Sequence, residues 1–467
     1  MKNHAEVESK KKKVYFVSLG CPKNLVDSEI MLGQLKGADY EVTDKEEEAD
    51  AIIVNTCGFI EESKKESIDT ILEMSKYKKE GKLKQLVVAG CLAQRYKGDL
   101  VEGLPEADVF IGSGEFQNIH EILNKNQKDS TQKTFFNLPT YLQEDSTPRV
   151  NSQPFWRAYL KISEGCMKRC AFCAIPQIRG NLQSRTLDSV VKEAKHLVKD
   201  GVRELMIISH DFTDYGWDLR RKDPERTEAP VELLRTLSNV EGLHWIRLLY
   251  LYPDGITPEM VDLIKSKPQL VKYFDMPLQH INNDMLKKMN RKMTRQEITQ
   301  ALDRIRTSMP EAVIRTQFIV GFPGETEEHF LELLEFIKGQ RFDRVGCFKY
   351  SVEEKTAAGK MTEQVDEKTK ERRYNMVMEA QQTISRDKHR DMIGRRVEVV
   401  VEGYSEETDL LLKGRTSQQA PEIDGIVYIN EGEAKVGDFV WVEITDSMDY
   451  DLVGRIICAP SQKDAAH

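Results

Sequence analysis

The sequence predicts an α/β protein in three parts: an N-terminal parallel α/β sheet domain, a central partial (β/α)6 barrel, and a C-terminal five-stranded antiparallel β-barrel. Three observations carry that expectation. Short apolar runs alternate with helical patterns up to about Asn124. After a polar stretch the same alternation returns for six more units. Beyond a charged helical segment, five short strands follow one another with turn residues between them. A chain of 467 residues, at roughly 150 per domain, is long enough for about three domains.

In the first part the strand-like runs are Val14–Leu19, Ala51–Asn55, Gln85–Ala89 and Asp108–Ile111. Between them, Asn24–Leu35 and Glu61–Tyr77 place apolar residues at helical spacing. Strand then helix at this rhythm builds a mostly parallel sheet covered on its faces. The domain is expected over 13–124. Residues 125–154, with Lys, Asn, Gln, Ser, Thr and Pro, read as a polar linker. The central domain, 155–385, carries the runs Ala158–Ile162, Glu204–Ser209, Trp245–Leu251, Val271–Met276, Val313–Val320 and Arg344–Tyr350. Helical segments Leu187–Val198, Val231–Leu237, Pro258–Ile264, Arg295–Met309 and Glu327–Ile337 separate them. Six units stop short of the eight that close a barrel, which leaves a lateral opening. The last domain, 386–459, has strands at Val397–Val401, Leu410–Lys413, Ile426–Ile429, Phe439–Ile444 and Leu452–Cys458.

Composition narrows the function classes. Hydrophobic residues make 40% and charged residues 31% of the chain, which excludes a disordered or collagen-like protein. No apolar stretch reaches the ~18 residues of a membrane helix, and no signal peptide is legible, so the expected compartment is the cytoplasm. The Lys10–Lys13 run reads as a hydrated terminus. A net charge of −9 argues against a protein built mainly to grip phosphate backbones. Eight cysteines are too sparse for a disulfide framework and read as metal ligands, reactive thiols or core fillers.

The sharpest signal is Cys166-Met-Lys-Arg-Cys170-Ala-Phe-Cys173, a C-x3-C-x2-C motif just after the first central strand. Thiolates in one short loop suit a single iron–sulfur cube, since iron takes such soft ligands. An all-protein cube uses four cysteines, and this loop supplies three. One open metal position is where chemistry happens. The x3–x2 spacing with a missing ligand suits the zinc alternative poorly. The second signal is dispersed. Cys21, Cys57 and Cys91 each stand just past a strand of the first domain, after Gly20, Thr56 and Gly90. Parallel strand ends share one edge, where ligands bind. Buried structural cysteines are the bland reading, and the threefold repeat of one position argues against it. Cys347 and Cys458, inside apolar strands, read as core residues.

Further loop signals follow the central strands: Ser209-His210-Asp211, Tyr252-Pro253-Asp254, Pro277-Leu278-Gln279-His280 and Gly321-Phe322-Pro323-Gly324-Glu325. Together they suit a pocket for a small-molecule cofactor. His210 and His280 read more simply as solvated or hydrogen-bonded loop residues than as acid–base groups.

The motif, the preceding cysteines and the five-stranded tail resemble the radical S-adenosylmethionine methylthiotransferases over nearly the whole chain. Leu19-Gly20-Cys21-Pro22-Lys23-Asn24-Leu25-Val26-Asp27-Ser28-Glu29, Asn55-Thr56-Cys57-Gly58-Phe59-Ile60 and Ile162-Ser163-Glu164-Gly165-Cys166 look like the RimO type. The tRNA-modifying MiaB type usually has Gln-Met-Asn where this chain has Pro22-Lys23-Asn24. One departure is visible: His210 stands where the pattern has glutamine before Asp211, a change that bears on one pocket contact.

The resemblance implies two 4Fe–4S clusters and S-adenosyl-L-methionine as radical source and methyl donor. Cys166, Cys170 and Cys173 would hold the cluster that binds S-adenosylmethionine, with Phe172 against its adenine. Cys21, Cys57 and Cys91 would hold an auxiliary cluster carrying the sulfur. It implies methylthiolation of the β-carbon of an aspartate in a small-subunit ribosomal protein, with a tRNA adenosine as the alternative substrate. The tail would be a TRAM-like domain. From Gly394 to Cys458 it has six cationic against fourteen anionic residues, a net of −8. That sign suits a basic protein partner better than RNA.

Overall fold

The computed structural model describes residues 11–36, 40–126, 133–137, 139–408 and 410–458. The chain forms two compact units. One takes the chain up to Ser152 together with Lys161–Arg169 and Cys173–Glu193. The other takes Gln153–Leu160, Cys170–Phe172 and the chain from Ala194 onward.

The first unit is built on a six-stranded sheet. Its strands are β1 (Lys12–Ser18), β2 (Tyr40–Val42), β3 (Ala51–Thr56), β4 (Gln85–Gly90), β5 (Val109–Ile111) and β6 (Lys133–Phe135), in the order β2-β1-β3-β4-β5-β6, each pair parallel. Every residue of β3 and β4 is buried, as unbroken runs such as Ala51-Ile-Ile-Val require when helices cover both faces. Ile52, Val54, Leu86, Val88 and Phe110 pack with Ile71 and Leu92 into this unit's core.

Four of these strands match the expected runs, and two do not. β2 and β6 are three residues long and lie at the two edges. β6 falls inside the stretch read as a linker. Arg149, also in that stretch, donates to buried Glu29 (Nη2 to Oε2, 2.6 Å) and to Glu193 (Nη1 to Oε1, 2.6 Å). The stretch is therefore fastened to the first helix, Pro22–Lys36. The lysine run is also corrected: Lys12 and Lys13 open β1, and Lys10 lies outside the described residues.

The second unit begins with β7 (Arg157–Lys161, whose last residue counts with the first unit). A short ribbon, β8 (Ser163–Glu164) with β9 (Gln183–Ser184), belongs to the first unit. The central sheet then adds β10 (Glu204–Ile208), β11 (Trp245–Leu248), β12 (Leu270–Gln279), β13 (Val313–Val320) and β14 (Arg344–Lys349). Its order, β14-β13-β12-β11-β10-β7, leaves β14 and β7 as edges: the sheet is open. All five expected helices between these strands are present. Arg295–Ser308 starts at Thr294 and Glu297 in a reciprocal capping box, the arrangement that satisfies two of the first orphan amides.

The tail forms β15 (Arg396–Tyr404), β16 (Leu412–Thr416), β17 (Val427–Glu431), β18 (Phe439–Ser447) and β19 (Leu452–Cys458), a closed five-stranded barrel. One seam, β17 with β19, is parallel, and the other four are antiparallel. Turn signals alone do not reveal that seam, because it joins strands that are not neighbours in sequence. Among the described residues no helix is long and apolar enough to cross a membrane.

Within this unit the barrel is tied to the central sheet through buried charge. Glu204 of β10 is fully buried and accepts from Arg415 Nη2 at 2.6 Å and from Arg247 Nε at 3.2 Å. Burial pushes its carboxyl up, and the two guanidinium groups more than reverse that, bringing it down to about 2. Because the folded value lies below the ordinary ~4.3, the pair stabilises fully above that pH and loses its contribution as pH falls toward 2. Glu204→Gln leaves buried Arg247 without its carboxylate and Arg415 with Glu402 alone, and is expected to cost about 3–5 kcal/mol. Urea melts at pH 7 and at pH 3 check this: the gap between wild type and variant should narrow in acid.

Candidate metal centre

The parallel register of β1, β3 and β4 determines where the first three thiols arrive. Thr56 pairs with Gly90, so Cys57 and Cys91 are the next residues on neighbouring strands. Ser18 pairs with Asn55, so Gly20 falls opposite Cys57 and Cys21 comes one residue later. Gly20 has φ +91°, and a Cβ there would lie 2.8 Å from Cys57 Cβ and 3.2 Å from its Sγ. Only glycine tolerates both that backbone and that approach. Gly58 plays a similar part, since a Cβ there would lie 2.7 Å from Leu92 Cα.

One side chain ties the three strand ends together. Asn24 donates its amide to the carbonyls of Leu19 (2.8 Å) and Thr56 (3.1 Å), and its oxygen lies 3.7 Å from the Cys91 thiol. Asn55 donates to Asn24 O and to Ser28 Oγ, both at 2.8 Å. Cys57 is held by Ser67, which accepts from its amide (3.1 Å) and donates to its carbonyl (3.0 Å).

The thiols sense one another. Cys21 is exposed, Cys57 half-buried and Cys91 buried. Burial pushes the Cys57 thiol up, and charge on Cys21 adds to it. Burial pushes Cys91 up to about 12; Arg179 pulls against this, while charge on Cys21 and Cys57 adds to it. Arg179 Nη2 stands 3.2 Å from Cys91 Sγ. A bound metal replaces these protons, so three mutually repelling thiolates beside one cation fit a soft, multiply charged centre.

The second cysteine set is also supplied with N–H donors. In the first unit, Gly165 has φ +69°, and a Cβ there would strike Asn181 O at 2.1 Å. The Cys166 amide donates to Gly180 O (3.2 Å), which fixes the start of the loop. Lys168 N donates to Cys166 Sγ and Ile175 N to Cys173 Sγ, each at 3.5 Å. Ala174, directly after Cys173, packs with Ile178 against Cys91 in one buried cluster. In the second unit, Arg291 Nη1 donates to Cys170 Sγ at 3.8 Å. Such donors favour the thiolate a cluster needs. Among the described residues no three His, Cys, Asp or Glu side chains stand in a finished ligating geometry; the fit rests on placement and on these donors.

Arg291 also joins two of the loop signals. It donates to Pro277 O (2.6 Å) and lies 4.1 Å from the centre of the Tyr252 ring. Phe172 is half-buried against Ala171, Met285, Met289, Phe322 and Tyr350. His280 is fully buried. Its Nδ1 accepts from Asn282 N (3.0 Å), so Nε2 carries the hydrogen toward Glu325 Oε1 at 3.2 Å. Glu325 also holds Arg373 (Nη1 to Oε2, 2.6 Å), so His280 locks two loops together. His210 is half-buried just past β10. Cys347 is buried in β14 as expected, and the Cys458 side chain lies outside the described residues.

Comparison with known proteins gives this arrangement a family. Residues 13–112 match the model of an uncharacterized protein family, UPF0004; 160–337 match the radical SAM superfamily, and 393–457 the TRAM domain. The chain is 69% identical over 446 residues to the ribosomal protein uS12 methylthiotransferase RimO of Bdellovibrio bacteriovorus, covering 96% of this chain and 98% of the relative. It is 50% identical over 447 residues to RimO of Geobacter sulfurreducens, covering 96% and 99%. The chain belongs to the RimO family. Membership of this radical SAM group implies S-adenosylmethionine and a 4Fe–4S cluster. In fold, the chain also resembles the radical S-adenosylmethionine methyltransferase TsrM of Kitasatospora setae, with a TM-score of 0.54 at 15% identity, covering 73% of each chain.

Asn24, Arg179 and Arg291 were not singled out from the sequence. Asn24 stands inside the RimO-type motif as one polar residue among several, and the two arginines reach their thiols across 88 and 121 residues. In metal-free protein, iodoacetamide is expected to alkylate exposed Cys21 at least about tenfold faster than Cys91 at pH 8, because Cys91 is buried and its thiol is pushed up to about 12. The Cys91 rate should keep rising with pH toward about 12. Peptide mass spectrometry over a pH series reads both.

Proposed function

We propose that the chain is a radical S-adenosylmethionine methylthiotransferase acting on the β-carbon of an aspartate in ribosomal protein uS12, using two 4Fe–4S clusters. The observation that carries this reading is a pair of cysteine sets, each one ligand short of the four that complete a cube. Bound there, the clusters supply one-electron cleavage of S-adenosylmethionine, able to remove hydrogen from an unactivated C–H bond, and a site for the sulfur to be inserted.

The chain's own residues do the rest. Cys166, Cys170 and Cys173 bind the first cluster, with Lys168 N, Ile175 N and Arg291 stabilising the thiolates. Phe172 offers an aromatic face for the adenine. Cys21, Cys57 and Cys91 bind the second cluster. Ala174 and Ile178 are buried against Cys91 and keep water from it, which strengthens every electrostatic contact there.

The relatives named for uS12 favour a ribosomal protein over tRNA, and that substrate puts the enzyme in the cytoplasm. The acidic barrel agrees in sign, although part of its charge is used internally. Glu402 and Glu422 hold Arg157, Asp424 accepts from Tyr273 Oη (2.7 Å), and Asp449 holds Arg386. Glu407, Glu431, Glu433 and Asp446 are exposed. Those outward carboxylates suit a basic partner and disfavour phosphate.

Reconstituted, reduced protein with S-adenosylmethionine is expected to place a methylthio group on uS12 and none on tRNA, read by mass spectrometry; modification of tRNA alone overturns the substrate. Cys57→Ala should lose about half of the bound iron. It should also abolish methylthiolation while still cleaving S-adenosylmethionine to 5′-deoxyadenosine.

A further inference from the structure

Arg179 is 1% exposed and lies six positions beyond Cys173. Both terminal nitrogens of its guanidinium are engaged. Nη1 donates to Asp27 Oδ2 at 2.5 Å, while Nη2 donates to Asn24 Oδ1 at 3.0 Å and to Cys91 Sγ at 3.2 Å. Asp27 also accepts from Lys161 Nζ (2.5 Å), which donates to Glu164 Oε1 (2.5 Å). All four charged residues of this group are buried. Two cations and two anions cancel among themselves, so the network holds Arg179 in place without leaving a stray charge. What it presents outward is a cationic N–H aimed at one cysteine sulfur.

Two features make that contact more than packing. Arg179 also holds Asn24, whose amide ties the carbonyls of Leu19 and Thr56, so it is anchored to the strand ends that carry the other two cysteines. The contact is also shielded from water, where a charged donor is felt most strongly. Hydrogen bonds to the sulfurs of an iron–sulfur cluster, together with local charge, set its reduction potential.

We infer that Arg179 is a positioning residue for the cluster at Cys21, Cys57 and Cys91: it fixes the Cys91 sulfur and holds that cluster's reduction potential up. This rests on the two-cluster reading above. It also gives the buried Asp27–Lys161–Glu164 group a purpose, since these residues aim Arg179.

The test isolates the auxiliary cluster. In a background of Cys166→Ala, Cys170→Ala and Cys173→Ala, the full chain is reconstituted anaerobically with iron and sulfide. It is then titrated with dithionite as electron donor while electron paramagnetic resonance follows uptake of one electron. Two variants are compared in that background: Arg179→Lys, which keeps the charge, and Arg179→Gln with Asp27→Asn, which removes the pair without leaving a lone buried ion. The neutral pair is expected to lower the potential by about tenfold in the redox equilibrium, ~59 mV for one electron, with Arg179→Lys in between. An unchanged potential at full iron content overturns the inference. Loss of the cluster from both variants also overturns it, reducing Arg179 to a structural role. If the background itself binds no iron, the two-cluster reading fails first, an outcome distinct from either.

Discussion

The site depends on the parallel register of β1, β3 and β4. These strands share an edge, and three residues that are remote in sequence become neighbours only there. A slip of one residue in a parallel pair moves every side chain to the opposite face. Here register is specified by polar contacts at the strand ends, where Asn24 donates to the carbonyls of Leu19 and Thr56 and Asn55 donates to Ser28 Oγ. The one-residue offset of Cys21 is absorbed at Gly20, whose missing side chain leaves room for Cys57. The placement of the thiols is thus a property of the sheet, with glycines as local adjustments.

The helix that follows Cys21 explains why a polar motif stands there. An ordinary surface helix buries an apolar stripe and exposes its charges. In Pro22–Lys36, Lys23, Asn24, Asp27, Ser28 and Glu29 are all buried. Asn24 joins the strand ends, Asp27 holds Lys161 and Arg179, Ser28 takes Asn55, and Glu29 takes Arg149 and Ser152. Each buried polar group has its partner, so burial does not incur the cost of an orphaned charge. Removing one partner leaves the other uncompensated, which ties these positions together more tightly than apolar packing would.

How much of this was legible follows from the kind of signal each part leaves. Long apolar runs bounded by helices, such as Val313–Val320, are visible because burial on both faces imposes composition. β2 and β6 left almost none: three-residue edge strands such as Lys133–Phe135 need few apolar residues and take their hydrogen bonds from a neighbour. The cysteines were legible because thiols are rare and their position after a strand repeats. Arg179 and Arg291 were not, since a buried arginine has the same letter as a solvated one, and only the fold brings a partner to it. The sequence leaves His280 either solvated or hydrogen-bonded, and the fold decides for the second: it is fully buried against Glu325, because its loop is covered.

The acidic barrel shows how a net charge divides once the fold is known. Counted along the chain, its fourteen anions form one reservoir facing a basic partner. In space, Glu402 and Asp424 meet Arg157, Tyr273 and Arg315 of the central sheet, and Glu402 also pairs with Arg415 inside the barrel. Those charges anchor the barrel and are neutralised where they stand. The ones that reach solvent, including Glu431, Glu433 and Asp446, act at a distance and within a Debye length of roughly 8 Å at physiological salt. They steer an approaching cationic surface without specifying where it stops. Discrimination between one cationic partner and another then has to come from contacts made inside that range, and the outward charge contributes mainly to encounter.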